Sequence, residues 1–143
     1  SIEAWLIIRG MRTLFLRLEK ACKNAMKIAN YFEGHSKIES VLYPGLKSHK
    51  GHEISKKQTD GKFGSMLSII VKGDEKKAID VARACKIFYP ATSLGGVESL
   101  IEHRKTVSGE GFPVHPRLLR LSIGIENLDD LIYDLEQALE SAS

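Results

Sequence analysis

Residues 117–126 read Arg-Leu-Leu-Arg-Leu-Ser-Ile-Gly-Ile-Glu, and the alternation within 117–123 decides the fold class. Successive side chains of an extended chain point to opposite faces. Leu119, Leu121 and Ile123 therefore share one face, and Arg120 and Ser122 share the other. Such a strand needs helices on its apolar side. Just downstream, Asn127 is a good N-cap for a helix carrying Leu128, Leu131, Ile132, Leu135 and Leu139, with Asp129 and Asp130 favourably placed in its first turn.

Upstream, residues 65–71 (SMLSIIV) predict a buried strand. Asp74 caps a helix over 75–85, with Ala78, Val81, Ala82 and Cys85 on its inner face. Residues 86–92 are strand-like but irregular at Pro90, and residues 38–43 form a short strand that Pro44-Gly45 turns. The polar stretch 46–64 is loop with a short helix near Ile54.

Before all of these, Ile7, Met11, Leu14, Leu18, Ala21, Ala25, Ile28 and Phe32 recur at spacings of four and three, the stripe of one long helix that Gly34 ends. The rest of the chain is too small to cover that whole stripe, so part of it should face a further domain or a partner subunit. The expected fold class is α+β: a long linking helix (residues 1–34), then a small, mostly antiparallel sheet covered by helices (residues 35–143). There is no internal repeat. Ser1-Ile2-Glu3 enters helical periodicity at once, as expected of a chain that begins inside a larger protein.

At 143 residues, 43% hydrophobic and 27% charged, the chain is sized and composed as one globular domain. Its net charge of +3 is weak and its basic residues are scattered, which argues against nucleic acid. No apolar run approaches a membrane span. Cys22 and Cys85 are far apart and form no metal or redox pair; two free thiols fit a reducing, cytoplasmic compartment.

Arg120 is the most informative single residue. A guanidinium fixed on a rigid strand suits a bidentate grip on a carboxylate; on pattern alone a solvated arginine or a structural ion pair is the commoner outcome. Ser93-Leu94-Gly95-Gly96 permits a close backbone approach, yet it has neither the spacing nor the lysine of a phosphate loop and reads as a strand-to-helix turn. Glu98, Glu102 and His103 fit one helical turn, which suggests acid–base work, although surface charge is the ordinary reading of such a turn. His35, His49, His52, His103 and His115 are dispersed, and no metal site is expected.

Five blocks, in order, resemble the trans-sulfuration family of pyridoxal-phosphate enzymes, which includes cystathionine γ-synthase, γ-lyase and β-lyase and methionine γ-lyase. They are residues 4–14 (AWLIIRGMRTL), 41–46 (VLYPGL), 93–103 (SLGGVESLIEH), 119–126 (LRLSIGIE) and 130–136 (DLIYDLE). The resemblance implies the C-terminal portion of a fold-type I enzyme. It implies that Arg120 binds the substrate α-carboxylate, that Ser93 positions the cofactor-binding lysine, and that Thr92 lies beside the substrate side chain. Synthases and γ-lyases often carry glutamate at that last position. Residues 104–112 (RKTVSGEGF) replace the family's usual sequence after the histidine.

No lysine here matches the Schiff-base motif, so the large cofactor-holding domain is expected to lie outside this chain and the chain alone to be inactive. Pyridoxal phosphate, a sulfur amino-acid substrate, the missing N-terminal domain and a homo-oligomer are the implied partners. Two alternatives stand beside a cystathionine enzyme. One is a methionine γ-lyase or homocysteine-forming sulfhydrylase; the other is a truncated, non-catalytic dimerisation module.

Overall fold

The computed structural model describes residues 1–92, 95–109 and 111–142. Six helices and five strands follow one another among the described residues: α1 (Ile2–Met11), α2 (Leu14–Phe32), β1 (Ile38–Leu42), α3 (His52–Thr59), β2 (Met66–Val71), α4 (Glu75–Ala84), β3 (Tyr89–Pro90), β4 (Leu100–His103), α5 (Arg104–Ser108), β5 (Leu118–Ser122) and α6 (Leu128–Ser141). The strands make one sheet in the order β1-β2-β5-β4-β3. All its pairs are antiparallel except β3 with β4. The α+β class and the mostly antiparallel sheet follow the sequence expectation.

The core is built on one face of that sheet. Leu67, Ile69 and Val71 of β2, Ile101 of β4, and Leu119 and Leu121 of β5 are all buried, as is Ile123 just beyond β5. Ala25, Ile28, Ala29 and Phe32 of α2, Ala78 and Val81 of α4, and Leu131, Leu135 and Leu139 of α6 close over them. Each fully buried leucine or isoleucine contributes about 1.5–3 kcal/mol. The expected caps are present: Asp74 Oδ1 accepts from Lys77 N at 2.8 Å, and Asn127 Oδ1 accepts from Asp129 N at 2.8 Å. Past α2, Gly34 takes a φ of +81°, a conformation that favours glycine.

Four elements differ from the sequence reading. The single long helix is broken at Arg12 and Thr13. Gly10 and Thr13 both lower helix propensity, and α1 buries no residue that would enforce continuity. Arg17 Nη1 instead donates to the Gly10 carbonyl at 3.0 Å and to the Thr13 hydroxyl. The strand expected over 86–92 shrinks to Tyr89–Pro90. Its approach is held by the buried Asp134, whose carboxylate accepts from the backbone N–H groups of Lys86, Ile87 and Phe88 at 2.8, 2.8 and 3.0 Å. Cys85 ends α4 as its C-cap rather than extending it. Most consequentially, residues 100–103 form a strand, and the short helix α5 follows directly. Glu102 and His103 therefore lie on opposite faces of a sheet and not on one helical turn.

Candidate functional site

The sheet's second face carries the polar residues. Strand register sets one row across it: Leu42 of β1 opposite Ser68 of β2, Ser68 opposite Arg120 of β5, and Arg120 opposite Glu102 of β4. Directly opposed side chains in an antiparallel pair are close enough to bond. Arg120 Nη1 donates to Glu102 Oε1 at 3.1 Å. Arg104, the first residue of α5, donates Nη1 to the same oxygen at 2.9 Å. The Thr92 hydroxyl donates to the other oxygen, Oε2, at 3.0 Å. One buried carboxylate thus joins two arginines and a threonine from three separate segments of the chain.

The exposures sort these groups by role. The Glu102 side chain is only 5% exposed, whereas those of Arg120 and Arg104 are 34% and 38% exposed. The carboxylate is the fixed, inner member and the guanidiniums reach outward from it. Burial works against ionisation of Glu102. Hydrogen bonds from Arg120, Thr92 and Arg104, with the Arg120 charge, outweigh that cost and hold its carboxyl below the ordinary value. Two guanidiniums against one carboxylate leave a local surplus of one positive charge. A shallow depression lined by Met66, Ala91, Leu100, Glu102, Arg120 and Ser122 opens on this face.

The backbone around Arg120 is tied down where β5 ends. Ser99 N and its hydroxyl donate to the Glu126 carboxylate at 2.6 and 2.8 Å, and Gly124 N donates to the Ser99 hydroxyl at 2.9 Å. Asn24, buried on α2, donates to the carbonyls of Gly124 and Glu126 at 3.2 and 3.0 Å. A Cβ on Gly124 would stand 2.2 Å from the Val97 carbonyl oxygen, so only glycine fits there. A guanidinium on so fixed a strand keeps its direction, which is what carboxylate recognition needs.

Of the site residues expected from sequence, Arg120 and Thr92 meet through Glu102. Ser93 lies outside the described residues. The structural ion pair considered for Arg120 exists, and it leaves a third of the side chain exposed. Glu102 enters the sequence reading only with Glu98 and His103 on a helical turn, and Arg104 and Asn24 do not enter it as site residues. Only the strand at 100–103 places Glu102 beside Arg120, and a four-residue strand carries little periodicity.

Other features serve the fold. On the core side of β4, His103 Nε2 faces the Pro116 carbonyl at 2.6 Å and Nδ1 faces the Thr106 hydroxyl at 2.6 Å. His52 binds the Pro44 carbonyl through Nδ1 at 2.8 Å and stacks on Phe63. Among the described residues no three His, Cys, Asp or Glu side chains gather as metal ligands, and no helix is long and apolar enough to cross a membrane. A groove of about 620 Å³ lies between α2 and the 61–64 loop and is mainly apolar; none of the Glu102 cluster lines it.

Comparison with known proteins gives the class of this α+β domain. The family model for Cys/Met metabolism PLP-dependent enzymes matches residues 1–140. The chain belongs to that family. It is 44% identical over 142 residues to the cystathionine gamma-synthase of Mycobacterium bovis, with 96% of this chain and 36% of that protein covered. It is 42% identical over 146 residues to the L-methionine gamma-lyase of Fusobacterium nucleatum subsp. polymorphum, covering 96% and 37%. Among solved structures, cystathionine gamma synthase from Xanthomonas oryzae pv. oryzae, in complex with aminoacrylate and cysteine, superposes with a TM-score of 0.91 at 38% identity, covering 99% of this chain and 38% of that one. The chain spans a little over a third of the length of these relatives.

Proposed function

We propose that this chain is the C-terminal domain of a pyridoxal-phosphate-dependent enzyme of the cystathionine synthase or lyase type, acting on sulfur amino acids. The observation that carries the reading is Arg120, held on the open face of the sheet with about a third of its side chain (34%) exposed and a local surplus of one positive charge. The guanidinium fork has the geometry to grip a carboxylate such as that of an amino acid. When bound, pyridoxal phosphate supplies the electron sink that lets bonds at the amino-acid carbons break.

The work of this chain's residues is then positional. Arg120 receives the substrate α-carboxylate in its guanidinium fork and fixes the amino acid's orientation, a large part of the rate gain in such reactions. Thr92 stands at the rim of the cluster, where it meets the substrate side chain. Ser93 follows it in sequence and orients the lysine that holds the cofactor. That lysine and the cofactor's ring and phosphate contacts belong to the larger domain of the whole protein, so this chain alone is inactive. α1 and the first half of α2 link the two domains. Their exposed side chains, Trp5, Ile7, Ile8, Met11 and Phe15 among them, pack on that domain or on a second subunit of a homo-oligomer.

The clamp grips the part that cystathionine, methionine and acylated homoserine share, and it serves a methionine γ-lyase or a sulfhydrylase equally. Thr92, in place of an acidic residue, favours keeping those substrates in the test. The experiment is to load the whole protein with pyridoxal phosphate, dialyse it, and offer each of these amino acids. A retained visible band and 2-oxo acid or exchanged thioether product are expected. The 143-residue chain treated alike should retain no band. A whole protein that holds no cofactor would contradict the reading and favour a non-catalytic module.

A further inference from the structure

Resting on the reading of Arg120 as the carboxylate clamp, we propose that Glu102 is the positioning residue for Arg120 and that Arg104 is the charge that keeps Arg120 available to a substrate. The cross-strand register puts Glu102 opposite Arg120, and the 3.1 Å bond anchors one Nη of the guanidinium. An anchored fork presents its remaining N–H groups in one direction, whereas a free arginine samples many rotamers, each lost on binding. The Thr92 hydroxyl fixes the second carboxylate oxygen, so Glu102 itself cannot swing away.

A carboxylate beside Arg120 would by itself be a liability, because a neutral pair attracts an incoming carboxylate poorly. Arg104 removes it. Its Nη1 shares the Glu102 oxygen at 2.9 Å, restoring a net positive charge to the cluster. Arg104 opens the stretch 104–112 that departs from the family's usual sequence, and this gives that departure a purpose: a second guanidinium within reach of the substrate carboxylate's field.

The test measures equilibrium binding to the cofactor-loaded whole protein. The two ligands are L-methionine and the amine with the same side chain but no carboxylate; their affinity ratio reads the clamp alone. Glu102→Ala should weaken methionine about 30-fold, the usual scale for breaking a buried charge-paired contact, and leave the amine unchanged. Glu102→Gln, which can still accept from both arginines, should keep the ratio within about threefold. Arg104→Gln should weaken methionine about three- to tenfold, less so at high salt.

Equal weakening of both ligands by Glu102→Ala would mean a purely structural carboxylate and overturn the inference. So would a Gln variant as impaired as the Ala variant, or an Arg104→Gln variant with an unchanged ratio. Arg120→Ala separates the two levels. If it abolishes the preference for methionine while Glu102→Ala and Arg104→Gln preserve it, this inference alone falls. If Arg120→Ala leaves the preference intact, or the unaltered protein has none, the carboxylate-clamp reading itself falls.

Discussion

Glu102, which the sequence pattern assigns to a helical turn, is central in structure as a residue of β4. Arg120 and its exposed face follow from the alternation Leu119-Arg120-Leu121, because strand periodicity fixes faces without any partner. Its bond to Glu102 depends on β4, four residues long and preceded by Gly95 and Gly96, and so short a strand is held by its pairing with β5 and β3. The ionisation of Glu102 is testable without substrate. A carboxyl held below its ordinary value of 4.5 stabilises the fold above that value and loses the contribution as pH falls through the depressed one. Thermal melts from neutral pH downward should fall below about pH 4.5, and Glu102→Gln should flatten that fall. A parallel decline in both proteins would remove Glu102 from the acid response.

At the scale of elements, capped helices and the alternating strand were legible because their signals are local. Asp74 and Asn127 bond their own first turns, and the leucines of α6 face one way whatever they meet. The breaks were not legible. Thr13 interrupts the N-terminal stripe because α1 has no buried residue to pay for continuity, a fact about neighbours that spacing alone does not carry. Asp134 was read as part of a matching block, yet its task is tertiary: it satisfies three N–H groups that the truncated β3 leaves open. Asp134→Ala should cost about 2–4 kcal/mol in chemical denaturation, with Asp134→Asn intermediate. Leu121→Ala, in the packed centre of β5, should cost about 2–5 kcal/mol. Losses under 1 kcal/mol in both would mean that the core is placed wrongly.

The whole molecule is two-sided in its stability. The sheet and its three large helices form a closed core, whereas α1 and the start of α2 expose Ile7, Ile8, Phe15 and Leu16, the last two at 81% and 69%. Large exposed apolar side chains on neighbouring helices are the kind of surface an interface covers. Ile8→Glu with Phe15→Glu should raise the solubility of the 143-residue chain and lower its binding of a hydrophobic dye. In the whole protein the same pair should disrupt assembly or domain packing; no effect there would leave the face without a partner. The expectation that part of the helical stripe outruns its own domain came directly from counting, since its first four members are exposed and its last four buried. The clamp remains the central claim. It is tested most directly by titrating the cofactor-loaded whole protein and its Arg120→Ala variant with an amino-acid substrate. The account predicts an affinity lowered by about 30-fold or more, with the cofactor spectrum unchanged before substrate is added. Equal affinity in the two proteins would contradict it.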